Sequence, residues 1–192
     1  MDRRFLRTER MLTDAMLALI QEKPLADITV QDIVARADIA KKTFYSHYEN
    51  KLELLWRSLE SHFQALETAT NPLNPGTLLM NNKPLTYPVF VHVAEFETFY
   101  RSILVTASTD SRLITQFLDY LAAQSYKRHQ PIRDLAPQMT VPPELISHLL
   151  SGAVVGTLRW WLKNDLADSP EEMAYRFSQI VAPGVLQSMG LE

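Results

Sequence analysis

The chain has 192 residues, enough for one domain or two, and its hydrophobic content of 46% allows a sizeable core. No stretch approaches the roughly 20 apolar residues of a membrane span, and the start lacks the apolar segment of a secretory signal, so we expect a soluble cytoplasmic protein. The absence of cysteine excludes disulfides and thiol nucleophiles, and the net charge of −3 argues against indiscriminate coating of nucleic acid.

The first predicted element is an amphipathic helix. Apolar residues recur with helical spacing over residues 3–22, and Pro24 marks the end of the pattern. Arg3, Arg7 and Arg10 fall on one side of this helix. The pattern leaves two interpretations open, contact with phosphates and a simple solvated face.

Two short helices joined by a tight turn are predicted next. Thr29, with Asp32 three residues later, has the spacing of a capping box that opens a helix ending near Ala37. Asp38 tolerates the left-handed backbone conformation that a tight turn requires. A second helix over residues 41–48 completes a helix-turn-helix pattern.

The second of these helices has one packing side and one polar side. At about 100° per residue, Phe44 and Tyr48 point in the same direction. Lysine donates to guanine edges or neutralises phosphate, and tyrosine stacks on sugar and thymine methyl groups, so the adjoining arc suits a major groove. That arc contains Lys41, Lys42, Tyr45 and Ser46.

A third helix begins at residue 50. Asn50 is a predicted N-cap, and Glu53 stands at the reciprocal position of a second capping box. Lys51 lies in the first turn, where free backbone amides and an ammonium together suit a phosphate.

The strings T-V-x-D-I, A-D-I, T-F-Y-x-H-Y and N-K-x-x-L resemble the DNA-binding domain of the TetR family of bacterial transcriptional regulators. Val34, Asp38 and Ala40 depart from the commonest family pattern, and Ala40 lacks the usual capping hydroxyl. With the polar arc, the resemblance implies a DNA-binding set in which Lys41, Lys42 and Tyr45 enter the groove and Thr43, His47 and Lys51 hold phosphates, while Thr29 caps its helix and touches phosphate.

The resemblance also implies the architecture and the function. We expect an all-α protein of about nine helices, with a helix-turn-helix domain at residues 1–50 and a ligand-binding and dimerisation domain at residues 51–192, sharing a connector helix at about 51–69. The implied function is a transcription factor, usually a repressor, that binds a double-stranded DNA operator as a homodimer and is released by a small-molecule effector. No cofactor is expected.

The rest of the chain is predicted to form helices and proline-rich connections. Residues 71–88 are predicted to form a loop, residues 88–105 a helix, and Asp110 a cap for a helix that reaches about His129. Residues 131–143 form a second predicted connection, followed by helices at residues 144–164 and 169–189. Pro183 is expected to kink or break the last helix.

An effector pocket is predicted in the second domain, bordered by aromatic residues of the connector and of the following helices. The alternative is a plain core, since aromatic residues at helical spacing usually pack together. The set comprises Trp56, Phe63, Phe96, Phe99, Tyr100, Phe117 and Tyr120.

A dimer interface is predicted on the last two helices. The helix at residues 144–164 has two apolar sides, one with Ile146, Leu149, Ala153 and Trp160, the other with Leu145, Gly152 and Gly156. A helix that is apolar on two sides is covered on two sides, either by a second copy or within one subunit. The predicted interface residues are Gly152, Gly156, Trp160, Phe177 and Val181.

Other classes of function have weaker support in the sequence. The histidines are scattered singly and offer no pair at metal-ligand spacing, so no metal site is expected. Phosphate-binding loops, G-x-S-x-G elbows and H-E-x-x-H pairs are absent, which argues against an enzyme without excluding a site built from distant residues. A helix-turn-helix that binds protein instead of DNA is the third possibility.

Overall fold

The computed structural model describes residues 3–69, 79–80, 83–84, 86–106, 111–135, 139 and 141–188. These residues contain nine α-helices, one 3₁₀ turn at Leu25–Asp27 and a two-stranded antiparallel sheet of β1 (Leu79–Met80) and β2 (Lys83–Pro84). The all-α prediction is confirmed. The helices are α1 (Arg3–Glu22), α2 (Val30–Ala37), α3 (Lys41–His47), α4 (Lys51–Ala69), α5 (Tyr87–Glu95), α6 (Glu97–Leu104), α7 (Ser111–Leu135), α8 (Pro143–Lys163) and α9 (Pro170–Ser188).

The chain divides into two compact units, the first of which holds Met1–Ala69 and Thr98–Leu113. In this unit α1 packs on α2 and α4, and α2 packs on α3. Its core combines residues from all four helices, because each helix turns one apolar stripe inward. The fully buried side chains include Leu12, Met16, Ile33, Phe44, Leu54 and Leu55.

The second unit holds Thr70–Glu97 and Ile114–Glu192. Here α9 packs on α5, α8 and β2. The ring of Phe90 lies 5.5 Å from that of Trp161 and 6.2 Å from that of Phe177, so an aromatic cluster joins α5, α8 and α9. The Trp161 indole N–H donates to the Asp168 carbonyl at 2.9 Å, which satisfies its one polar group.

Several element boundaries differ from the sequence prediction. The segment predicted as one helix over residues 88–105 forms two, α5 and α6, which meet at Phe96. Helix α7 continues past His129 and through Pro131 to Leu135, and α9 continues through Pro183, so neither proline ends its helix. The predicted cap at Asp110 and most of the predicted loop at residues 71–88 lie outside the described residues. None of the helices in the described ranges is both long and apolar enough to cross a membrane.

Candidate nucleic-acid interface

A complete capping box opens α2. The Thr29 amide and hydroxyl both donate to Asp32 Oδ2, at 2.8 and 2.7 Å, and the Asp32 amide donates back to Thr29 Oγ1 at 3.1 Å. Lys23 Nζ lies 2.8 Å from the same carboxylate oxygen. The Lys23 ammonium, followed by the two Thr29 donors, holds the pKa of the Asp32 carboxyl well below its usual range. The predicted cap is confirmed, and it is reinforced by an ion pair that the sequence did not indicate.

The turn between α2 and α3 is built on a left-handed residue. Asp38 has φ 52° and ψ 49°, as its residue type allows, and the following Ile39 amide donates to the Val34 carbonyl at 3.0 Å. Arg36 in the last turn of α2 makes two bonds to the Glu22 carboxylate, from Nη1 at 2.9 Å and Nη2 at 2.6 Å. This paired contact ties α2 to the end of α1 and orients the turn.

Helix α3 has the two predicted sides. Phe44 is fully buried and Tyr48, just beyond the helix, is nearly so; burial raises the pKa of the Tyr48 phenol to about 12. On the opposite side Tyr45 is 52% exposed. Lys41, Lys42 and Ser46 are also exposed, whereas Thr43 is half-buried. The arc predicted to face DNA is therefore open to solvent. Ala40 is the N-cap residue of α3 and provides no side-chain hydrogen bond to the helix.

His47 is the half-buried last residue of α3. Its imidazole stacks on the ring of Phe5 from the first turn of α1, with centroids 4.1 Å apart and an interplanar angle of 24°. Its Nδ1 is buried and finds no hydrogen-bond partner within the described ranges of the chain. Only Nε2 is then available for an outside ligand. The sequence predicts Phe5 only as an apolar position of the first helix. Its contact with His47 was not predicted, because a contact between residues so far apart in the chain leaves no local spacing signal.

Lys51 points into the protein. Its Nζ donates to the backbone carbonyls of Leu25 at 2.8 Å, Ala26 at 3.1 Å and Ile28 at 2.6 Å. Burial lowers the pKa of this ammonium, partly offset by the carboxylates of Asp27 and Asp32. A phosphate at Lys51 would have to replace at least one of these carbonyls, which the prediction of a phosphate ligand did not anticipate.

The cap of α4 differs from its prediction in one bond. Asn50 Oδ1 accepts from the Leu52 and Glu53 amides at 2.9 and 3.0 Å, as expected of an N-cap. The Glu53 carboxylate, however, accepts from the Glu49 amide at 2.6 Å and not from that of Asn50. The helix start is secured one residue further back than a standard capping box.

The predicted effector-pocket residues fall in both compact units. Phe63, Phe99 and Tyr100 belong to the first unit, where Tyr100 contacts the other two rings edge to face, at 6.2 and 5.4 Å. Half-buried Trp56 is in the same unit. Phe96, Phe117 and Tyr120 belong to the second unit, and of these only Phe117 is fully buried. A separate open depression is lined by Ser169, Glu171, Glu172, Tyr175 and Arg176, none of which was predicted.

The predicted interface residues on α8 lie at the surface. Leu145, Leu149 and Trp160 are 51, 63 and 54% exposed, and Gly152 and Gly156 are exposed between them. Leu149 and Trp160 therefore share a face with the glycines, whereas Ile146, predicted beside them, is buried. On α9 Val181 is half-buried, but Phe177 is buried against Phe90, so it belongs to the core of its own subunit. Ile180, on the apolar stripe that the sequence predicts for the last helix, is 80% exposed.

A helix-turn-helix of α2 and α3 in one compact unit with α1 and α4, together with a second helical unit, is typical of two-part DNA-binding regulators. Residues 12–57 match the family described as bacterial regulatory proteins, tetR family, and residues 81–182 match the transcriptional regulator C-terminal region of such proteins. The chain belongs to the TetR family of transcriptional regulators. It is therefore a helix-turn-helix DNA-binding regulator of a non-enzymatic family, as predicted.

Individual relatives agree with this assignment. The chain is 28% identical to an uncharacterized HTH-type transcriptional regulator of Bacillus subtilis, YxbF, across 94% of this chain and 46% of that protein. The chain thus spans about half the length of this curated relative. Its fold is similar to the dihydroxyacetone kinase operon activator DhaS (TM-score 0.63, 21% identity, 92 and 95% of the two chains covered). It is also similar to NalD of Pseudomonas aeruginosa, the secondary repressor of a multidrug efflux pump (TM-score 0.62, 15% identity, 95 and 97% covered).

Proposed function

We propose that this regulator is a repressor that binds a pseudo-palindromic operator as a homodimer and leaves it when a small, mainly apolar effector binds. The observation that carries the DNA-binding part is the exposed arc of α3, opposite the buried Phe44. In this proposal Lys41, Lys42 and Tyr45 read base edges in the major groove. Thr29, Thr43 and His47 contact phosphates on either side.

We propose that the regulator represses transcription instead of activating it. DhaS is named as an operon activator and NalD as a repressor, so the shared fold serves both signs. A protein that occupies its operator without further contacts blocks transcription by exclusion, which is the simpler mechanism. Because its target is chromosomal DNA, we assign the regulator to the cytoplasm.

The homodimer is proposed from the face of α8 that contains Leu145, Leu149 and Trp160. These three large side chains are each more than half exposed and leave an unusually apolar surface for one subunit. Apart from the neighbouring backbone of α8, a Cβ atom added at Gly152 or Gly156 would meet no atom of the described residues within 4 Å, so no contact described within the subunit requires glycine there. Glycine inside a helix costs about 0.5–1 kcal/mol relative to alanine, and close approach of a second helix would justify that cost.

The domain plan is part of the same proposal. We assign DNA reading to residues 1–50 and effector binding and dimerisation to residues 51–192, with α4 shared between the two. Within the first unit, the effector pocket is proposed among Trp56, Phe63, Phe99 and Tyr100, where Tyr100 contacts the rings of Phe63 and Phe99. An effector releases DNA only if it binds the conformation that does not bind DNA more tightly than the conformation that does. A ligand with equal affinity for both conformations would leave the equilibrium between them unchanged.

The experiment that tests the function is selection of binding sites from a random double-stranded DNA library with the purified protein. We expect an enriched inverted repeat whose half-sites are about 34–36 Å apart, or a multiple of one helical turn, as a two-fold dimer requires. Enrichment of a single half-site would contradict the dimer, and no enrichment would contradict sequence-specific reading. Compounds that release the selected DNA then identify the effector class, and release by none would contradict the effector-linked part.

A further inference from the structure

The Lys51 ammonium is enclosed by backbone carbonyls. It donates to Leu25, Ala26 and Ile28 at 2.8, 3.1 and 2.6 Å. An ammonium has three N–H donors and no acceptor, so these three bonds use its full hydrogen-bonding capacity. All three acceptors belong to or directly follow the 3₁₀ turn, and Ile28 is the residue immediately before Thr29.

We propose that Lys51 is a positioning residue: it fixes the turn between α1 and α2, and thereby Thr29 and the start of α2, without binding phosphate itself. The inference rests on the proposed function, because it concerns the same DNA interface. It assigns to this side chain a role different from that of the exposed lysines of α3.

The electrostatics of the turn favour this role. The Leu25 carbonyl also accepts from the Ile28 amide at 3.3 Å, and Lys51 adds a second donor to it. The carbonyls at the end of a helical turn carry the negative end of its dipole, so one ammonium that meets the Leu25, Ala26 and Ile28 carbonyls together is favoured there. Partial burial also lowers the pKa of the Lys51 ammonium, as expected for a cation drawn away from solvent.

Thr29 is consequently held from both sides. The carbonyl before it accepts from Lys51, while its own amide and hydroxyl donate to Asp32. A phosphate contact at Thr29 depends on a backbone placed to within a fraction of an ångström. Removing the Lys51 ammonium would therefore weaken DNA binding by releasing the turn, although Lys51 itself touches no phosphate.

The test compares Lys51→Met, Lys51→Arg and, as a matched control, Lys42→Met on the exposed arc. Operator affinity is measured over a range of salt, and amide hydrogen exchange is measured in the free protein at Asp32 and Ile33, with Phe44 as an internal reference for folding. For Lys51→Met we expect roughly tenfold weaker binding with an unchanged salt slope, and faster exchange at Asp32 and Ile33 only. For Lys42→Met, which removes a lysine proposed to read base edges, we expect unchanged exchange, together with weaker binding and relaxed preference at particular base pairs.

Lys51→Arg keeps the positive charge and so distinguishes a phosphate contact from the positioning of the turn. A planar guanidinium suits phosphate well but does not converge on three carbonyls as an ammonium does. We expect amide hydrogen exchange at Asp32 and Ile33 to be as fast in Lys51→Arg as in Lys51→Met. Wild-type affinity in Lys51→Arg, a reduced salt slope in Lys51→Met, or unchanged exchange in Lys51→Met would each overturn the positioning role. If the wild-type protein selects no DNA, the proposed function fails, while the exchange measurements still decide whether Lys51 holds the turn.

Discussion

The imidazole of His47 and the ring of Phe5 lie face to face, with centroids 4.1 Å apart. This stack joins the first turn of α1 to the last turn of α3, the helix proposed to read DNA. Nδ1 of His47 is buried, so Nε2 is the ring nitrogen left for the proposed phosphate contact.

We expect Phe5→Ala to lower operator affinity several-fold, because His47 loses the surface that orients it. The free energy of unfolding should fall by about 1 kcal/mol, the usual contribution of such a ring pair. Leu6→Ala is the matched control, since Leu6 is a neighbouring apolar residue that is 47% exposed. Titration of DNA binding by fluorescence anisotropy measures both variants, and equal affinities would show that the stack does not position His47.

The exposed lysines of α3 should determine sequence preference. Loss of a base-reading lysine in Lys41→Ala or Lys42→Ala should cost on the order of 1–3 kcal/mol of binding free energy and relax preference at particular base pairs. Lys127→Ala removes an exposed lysine outside the DNA-reading helix and should leave preference unchanged. Repeating the library selection with each variant measures the effect. A folded double variant with wild-type preference and affinity would remove these lysines from the interface.

Substitutions at Gly152 and Gly156 in α8 test whether these glycines lie in the dimer interface. Gly152→Glu or Gly156→Glu should yield monomers that keep a folded helix-turn-helix and lose operator affinity. Gly156→Ala should instead raise the stability of an isolated subunit by up to about 1 kcal/mol, because the added methyl group meets open space and alanine favours helix. Sedimentation gives the oligomeric state. Dimers that persist in both glutamate variants would move the interface elsewhere.

The capping box of α2 should make stability depend on pH. The pKa of Asp32 is lowered in the folded state, mainly by Lys23, so its contribution is present above the unfolded value of about 3.9 and is lost as pH falls through the folded value. We expect Asp32→Asn to lower Tm at pH 7 and to lose that effect as the solution becomes strongly acidic. Lys23→Met should lower Tm less, because it leaves the Thr29 bonds intact. A Tm difference independent of pH would contradict this assignment.

The uncapped start of α3 can be improved. Ala40 has the extended backbone of an N-cap, with φ −66° and ψ 140°, but no side chain to accept a bond from the helix. Ala40→Ser should raise the free energy of unfolding by about 0.5–2 kcal/mol. Ala40→Val, which adds a side chain without a hydroxyl, is the control. Denaturant unfolding decides between them, and equal stability would mean that the hydroxyl finds no amide.

The DNA-reading half of the molecule was predictable because its signals are local. The capping pair Thr29 and Asp32 is three residues apart, and the left-handed Asp38 follows directly from residue type. In contrast, the Phe5–His47 stack and the bonds of Lys51 join residues distant in sequence, and no periodicity reports such contacts. The predicted domain bounds, the effector pocket and the dimer remain predictions, although the first compact unit also includes part of α6.

The errors in the second half have a physical reason. The sequence predicts a connection that begins at Pro131 and a kink or break at Pro183, yet α7 continues past Pro131 and α9 is not broken at Pro183. A proline removes one backbone hydrogen bond, at a cost that packing along the rest of a long helix can offset. Likewise, periodicity showed that α8 is apolar on two sides, but only the three-dimensional structure could assign Ile146 to the buried side and Leu149 and Trp160 to the open one.

Helix α3 is seven residues long and begins without a side-chain cap. Isolated helices shorter than about 12–15 residues are marginal in water, because nucleation costs more than so few hydrogen bonds return. The formation of α3, the helix proposed to read DNA, therefore depends on the burial of Phe44 in the core of its compact unit. A peptide with the sequence of α3 alone would be disordered. Grafting α3 onto another protein would therefore not transfer DNA sequence specificity unless the helices that pack against it were grafted as well.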